Sequence, residues 1–183
     1  MYIRPLQPID LHMLAHHRIR HSKENGRDGD FIFAPNEEDH HVCEEDFEKE
    51  AEALRTPVTA VGWMRIWIIT NDSEVFGEIT LTHRPRLAAA LHRCLLMMGL
   101  ERSVRGQGWG SKLMQESLAW ARQQSSLDWI TLHVFENNLP AKALYKKFGF
   151  ERGGTTRDMF RVFGQSINDT EMVLRIPRTN GRQ

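Results

Sequence analysis

Gly106, Gly108 and Gly110 alternate along the stretch Arg105-Gly106-Gln107-Gly108-Trp109-Gly110. Before them stands an apolar run (Leu95, Leu96, Met97, Met98, Leu100) and after them an amphipathic one (Leu113, Met114, Leu118, Ala121). That order reads as strand, bare turn, helix. Glycine permits positive φ and removes the side chains that would hold a ligand away from the backbone. The N–H groups of such a turn converge at a helix N-terminus, where the macrodipole adds about half a positive charge. The chemistry this suits is the binding of a phosphate-bearing molecule; the alternative is a glycine turn with no ligand.

Two familiar phosphate motifs fail letter by letter. A G-x-x-x-x-G-K-[ST] loop read from Gly106 finds Ser111 at its second glycine and Leu113 in place of the hydroxyl. A G-x-G-x-x-G fingerprint also meets Ser111 where its third glycine belongs. A second motif lies downstream, from Asn138 to Phe150, after the apolar segment Trp129 to Phe135. Asn138 suits an N-cap and Pro140 the first helical turn. Ala141, Leu144, Tyr145 and Phe148 form an i, i+3, i+4, i+7 stripe, and Gly149 is placed to end the helix. By helix geometry alone, Tyr145 belongs to core packing.

The pair R-x-x-G-x-G after one strand and N-x-x-A-x-x-L-Y-x-x-x-G-F after the next resembles the acetyl-CoA-binding core of the GNAT N-acetyltransferases, over about residues 91–150. The resemblance implies an α/β (α+β) GNAT fold. Its mixed, mostly antiparallel twisted sheet has about six or seven strands, flanked by about four helices, with the central strands splayed at the cofactor site. It implies acetyl-CoA as acyl donor, no metal, and acetyl transfer to a primary amine by direct attack in a ternary complex. Backbone amides of Arg105, Gly106, Gln107, Gly108, Trp109 and Gly110 would hold the pyrophosphate. The Leu100 N–H would bond the pantetheine or thioester carbonyl, and Asn138 would contact the cofactor. Tyr145 would be the general acid toward the departing thiolate, which replaces the core-packing reading of that residue. A non-catalytic acyl-CoA-binding sensor or interaction module with the same fold is the competing function.

A base is also needed. An alkylamine of pKa ~10.4 is neutral about once in two thousand molecules at pH 7, a cost of roughly 4–5 kcal/mol. Glu78 on a strand is the first candidate, His92 ahead of the glycine turn the second and Glu101 the third. The resemblance also assigns acceptor recognition to the segment between the first two helices, about residues 22–43. There Phe31 and Phe33 would form an apolar wall, and Glu37, Glu38 and Asp39 would attract a cationic amine. The nine histidines include His12 and His16 at i, i+4, and His40 and His41 near Cys43, but no tight metal motif such as H-E-x-x-H.

Positioning these residues needs the order βααβββαβαββ. Tyr2 to Arg4 reads as a strand, Asp10 to Arg20 as a helix capped by Asp10, and Ser22 to Asp30 as loop. Glu44 to Arg55 is a second helix; Arg65 to Thr70 and Val75 to His83 form a hairpin through Asn71 to Glu74. Segments near Met159 to Phe163 and Glu171 to Ile176 close the sheet. The 183 residues suit one domain over 1–183, and Lys+Arg and Asp+Glu both number 24. That balance argues against nucleic acid or membrane as partners; the resemblance implies an amine-bearing acceptor, a small molecule or peptide N-terminus, with a homodimer allowed. Prolines at 5 and 8, the lack of an apolar signal segment and only two cysteines (Cys43, Cys94) point to a cytoplasmic protein.

Overall fold

The computed structural model describes residues 1–26, 44–162 and 164–177. The chain runs β1 (Tyr2–Pro5), α1 (Leu11–Glu24), α2 (Glu44–Arg55), β2 (Met64–Thr70), β3 (Val75–Thr82), β4 (Arg93–Leu100), α3 (Trp109–Arg122), β5 (Trp129–Phe135), α4 (Leu139–Lys147), β6 (Glu151–Val162) and β7 (Gln165–Arg175). One seven-stranded sheet has the order β1-β2-β3-β4-β5-β7-β6. Neighbours are antiparallel except β4 and β5, which lie parallel. This is the mixed sheet and element order that the motifs imply.

Strand alternation divides the sheet into two faces. Trp67, Ile79, Leu81, Leu96, Ile130 and Leu132 pack beneath Leu113, Met114, Leu118 and Ala121 of α3 and Tyr145 of α4. On the other face, Ile66 and Ile68 pack with Leu11 and Leu14 of α1 and with Phe47 and Leu54 of α2. The β2–β3 turn forms because Asn71 Oδ1 accepts the N–H groups of Ser73 and Glu74 while Asp72 takes φ +74°.

Several boundaries differ from the sequence expectation. α1 extends through Ser22 to Glu24, because Glu24 docks across the molecule onto the turn after β4. Asp10 makes no side-chain cap for α1; its carboxylate accepts from Arg4 and from the Gln7 N–H. β6 and β7 are long paired strands rather than short closing segments, joined across a register from Glu151↔Val173 to Val162↔Gln165. Phe31, Phe33, Glu37, Glu38, Asp39, His40, His41 and Cys43 lie outside the described residues.

The feature that matters for chemistry is at the centre. β4 and β5 pair only from Arg93↔Trp129 to Leu96↔Leu132, although β4 continues to Leu100 and β5 to Phe135. Each strand keeps its outer partner to the end, Leu100 opposite Gly77 on β3 and Phe135 opposite Asp169 on β7. The two strands therefore part beyond Leu96 and Leu132.

Candidate active site

The parted strands leave backbone donors directed into the gap. The Glu101 N–H donates to Phe76 O on β3 at 3.0 Å. Because N–H directions alternate along a strand, those of Leu100 and Met98 point the opposite way, toward β5. β5 no longer pairs at that level.

After β4 the chain makes a short 3-10 turn (Arg102–Val104) and enters α3 through the glycine stretch. Gly106 and Gly108 have φ of +72° and +83°, and a Cβ at either would meet no protein atom within 4 Å. Their glycine character answers both to the left-handed backbone and to open space in front of it. Gly110 has a different reason. A Cβ there would come within 3.2 Å of Leu144 Cδ2, so its bareness lets α3 approach α4. The side chains beside the glycines are turned inward on the protein. Arg105 Nε donates to Leu100 O at 2.8 Å and its Nη2 meets Glu24 Oε2 at 3.0 Å; Gln107 Nε2 donates to Ser103 O. Trp109 opens α3 and packs on the main core, with Lys112 Nζ 4.4 Å from its ring centroid. Backbone amides at the two open glycines are therefore not covered by these side chains.

Asn138 caps α4, its Oδ1 accepting the Ala141 N–H at 3.2 Å. Gly149, at φ +89°, follows that helix. Tyr145 is buried on the core-facing side of α4 with its ring 5.9 Å from that of Phe150. Burial pushes its phenol up to about 12.

The three candidate bases fare differently. Glu78 faces α1, where Arg18 clamps it through Nε at 2.7 Å and Nη2 at 3.0 Å, and Thr80 Oγ1 donates to it. Burial alone would raise its carboxyl, but the Arg18 guanidinium outweighs that and holds it below the usual carboxylate range. Such a carboxylate is a poor proton acceptor. His92 is not brought to the gap. It stands in the turn before Arg93 rather than within the strand that leads to the glycine turn, and that strand, about 26 Å long, separates it from the turn. Its carbonyl instead accepts the N–H groups of Asp128 and Trp129. Glu101 is buried and occupied by His17 Nδ1 at 2.9 Å and Arg20 Nε at 3.0 Å.

Sequence reasoning passed over His133 and Asp169. His133 follows Leu132, the last β5 residue paired with β4, so it stands where the strands part. Its side chain is 51% exposed and its Nδ1 lies 2.5 Å from Asp169 Oδ2. An ionised carboxylate only accepts, so Nδ1–H donates; in the neutral ring Nε2 then carries the lone pair. By strand alternation His133 is on the α1 side of the sheet, opposite to α4 and Tyr145. The only local hint was a histidine alternating with Ile130, Leu132 and Val134 in an apolar strand. Asp169 is 36 residues away and comes beside it only through the β5–β7 register.

α1 buttresses the end of β4 with a stripe of polar side chains. His17 and His21 stack at 5.7 Å, and a Cβ on Gly99 would meet the His21 ring at 3.0 Å. Burial, then the neighbouring His17 and Arg105 charges, push His21 down to about 4. The folded protein therefore refuses a proton that the unfolded chain accepts from about pH 6.5 downward. Stability is complete above that pH and falls as the pH drops toward 4, by at most about 3 kcal/mol. The melting temperature is expected to decline between pH 7 and pH 5, and His21→Gln to flatten that decline. An unchanged slope in the variant would show that His21 is not its source.

Among the described residues, no group of three or more His, Cys, Asp or Glu is arranged to hold a metal ion, and no helix is long and apolar enough to cross a membrane. The solved structures of similar shape include the acetyltransferase of GNAT family from Streptococcus pneumoniae (TM-score 0.83, 21% identity, 96% of this chain and 99% of that one). Another is yncA from Salmonella typhimurium with its cofactor acetyl-CoA (TM-score 0.76, 15% identity, 100% of this chain and 98% of that one). At these identities the likeness concerns the fold. Among curated proteins, the L-amino acid N-acetyltransferase AaaT of Escherichia coli (strain K12) shares 34% identity over 86 residues, 46% of this chain and 51% of that protein. The chain spans about half the length of the curated relatives it matches, or less. The model of the Acetyltransferase (GNAT) family matches residues 27–150, and that span takes in the parted strands, the glycine turn and the Asn138–Tyr145 helix: the chain belongs to this family.

Proposed function

We propose that this protein transfers an acetyl group from acetyl-CoA to a primary amine by direct attack in a ternary complex. The observation that carries the reading is the parting of β4 from β5 beside a turn whose two positive-φ glycines face open space. Backbone amides from Arg105 to Gly110 would hold the diphosphate, and the Met98 and Leu100 N–H groups would bond the extended arm as a departed strand would have done. When bound, acetyl-CoA supplies the thioester whose acetyl group is transferred.

The protein's own contribution is to take one proton from the amine and to donate one hydrogen bond to the leaving sulfur, from opposite faces of the sheet. On the α1 face, His133 Nε2 takes a proton from the ammonium, directly or through one water, while Asp169 stabilises the imidazolium that results. This offsets part of the roughly 4–5 kcal/mol needed to supply the free amine. His133 is preferred to Glu78 because the Arg18 clamp leaves Glu78 little basicity. On the other face, Tyr145 keeps its proton at neutral pH. A thiolate of ordinary basicity, ~8.5, would have to draw that proton uphill by about 3–4 pH units, so Tyr145 acts as a hydrogen-bond donor to the leaving sulfur.

The test has two stages. Acetyl-CoA is expected to raise the melting temperature by mass action, and Gly108→Val to abolish the rise. A Cβ at this position meets no protein atom within 4 Å, so the folded-state cost is chiefly that of a left-handed residue, at least roughly 1–2 kcal/mol, and the added bulk stands where the ligand would lie. Release of free CoA is then followed over polyamines, aminoglycosides, amino acids and peptide N-termini. No thermal rise at saturating acetyl-CoA sinks the proposal. A rise without CoA release across the panel assigns the protein instead to non-catalytic acyl-CoA sensing.

A further inference from the structure

The α1 face of β4, β5 and β7 carries side chains in ordered rows. Arg93, Trp129 and Arg175 are register partners across the three strands, and Leu95, Thr131 and Val173 form the next row. His133 with Glu171 comes after, and Asp169 stands diagonally beyond. In the first row both guanidinium groups lie over one indole, Arg93 at 5.6 Å and Arg175 at 6.0 Å from its centroid. Arg93 is held further by Thr131 Oγ1, which accepts from Nη2 at 3.1 Å. Neither arginine has a carboxylate partner among the described residues. Two guanidiniums beside one aromatic ring, Arg93 anchored by Thr131, make a fork suited to a carboxylate.

The face is therefore polar along its length. It is acidic at the His133 end, where Asp169 and Glu171 stand, and cationic at the Trp129 end. Four residues of strand separate the two, about 13 Å. One amino-acid residue spans only about 3.3–3.6 Å, so a single amino acid cannot place its amine at His133 and its carboxylate on the arginines. A peptide lying along the strands can. Its ammonium would be drawn by the acidic end, its middle would lie on Leu95, Thr131 and Val173, and an acidic side chain would reach the fork.

We propose that Arg93, Trp129 and Arg175 form an acceptor-recognition subsite for a carboxylate, and that the acceptor is a peptide with a free N-terminal amine and an acidic fourth or fifth residue. The proposal rests on the acetyl-transfer reading above for the position of the amine, but its test does not require turnover. Binding of Ala-Ala-Ala-Glu-Ala amide, of the same peptide with glutamine, and of Ala-Glu-Ala-Ala-Ala amide is measured by calorimetry with CoA present.

The first peptide is expected to bind roughly tenfold tighter than the other two. In the double variant Arg93→Gln/Arg175→Gln that ratio should fall to near one. The thermal rise with acetyl-CoA reports that the variant is folded. Where peptides are acetylated, the same ratio should appear in KM. Equal binding of the three peptides overturns the proposal, as does a preference that survives in the folded double variant or failure of all three to bind. Acidic-peptide binding without CoA release would instead leave the subsite standing and count against the acetyl-transfer reading.

Discussion

His133→Gln is expected to lower kcat/KM for the best amine of the acceptor panel by about two orders of magnitude, within the range that a positioned general base contributes. Glutamine keeps a polar side chain of similar reach but cannot take the proton. The acetyl-CoA-induced rise in melting temperature should be unaffected, since the imidazole is on the face of the sheet opposite α4. Comparing amines of differing basicity separates this role from a structural one. The loss should be largest for strongly basic amines, which arrive protonated, and should shrink for weakly basic ones. Asp169→Asn should cost about tenfold, because an amide can present its N–H to Nδ1 and turn the imidazole to the tautomer whose Nε2 carries the hydrogen. A His133→Gln enzyme with the parental rate on strongly basic amines would return the role to another group. Glu78→Gln would be the next variant to measure.

Tyr145→Phe is expected to leave acetyl-CoA binding intact and to reduce kcat about a hundredfold, the order seen when one donor to developing negative charge is removed. Phenylalanine preserves the ring that packs at 5.9 Å against Phe150 and deletes only the hydroxyl. Cavity formation is therefore minimal, and the melting temperature without ligand should move little. With the phenol acting as a hydrogen-bond donor, the loss should appear in kcat and be nearly constant below pH 9. A loss confined to KM, or a parental rate, would assign Tyr145 to packing alone, as its helix stripe suggested before the family resemblance entered.

The local devices of this site were readable from neighbouring letters. Gly106 and Gly108 carry the positive φ angles that alternate glycines after an apolar run announced, Asn138 caps α4, and a positive-φ glycine follows it at position 149. Each depends on forces within a few residues: steric exclusion at Cβ, a side-chain oxygen reaching a nearby N–H, an apolar period matched to a helix. Gly110 was grouped with its neighbours by letter pattern, yet its purpose is close contact with Leu144 on another helix. The extension of α1 was missed for a related reason. Ser22 to Glu24 open a polar stretch with glycines at 26 and 29, and Glu24 is held by Arg102 and Arg105, about 80 positions further on.

Which ionisable groups are engaged by partners lay beyond any local reading. Glu78 and Glu101 look as capable as any carboxylate in the sequence, and only the fold brings Arg18 and Arg20 of α1 onto them, across 60 and 81 positions. His133 looked like one of nine histidines until the β5–β7 register set Asp169 against its ring. Composition, periodicity and two short motifs determined the strand and helix order, the glycine turn and the family. Tertiary structure alone decided which ionisable groups are tied up, which remain available, and how charge is laid out along the sheet face. A group's basicity depends on the charges and burial that surround it in space, and a folded chain assembles those surroundings from segments that share no neighbourhood in sequence.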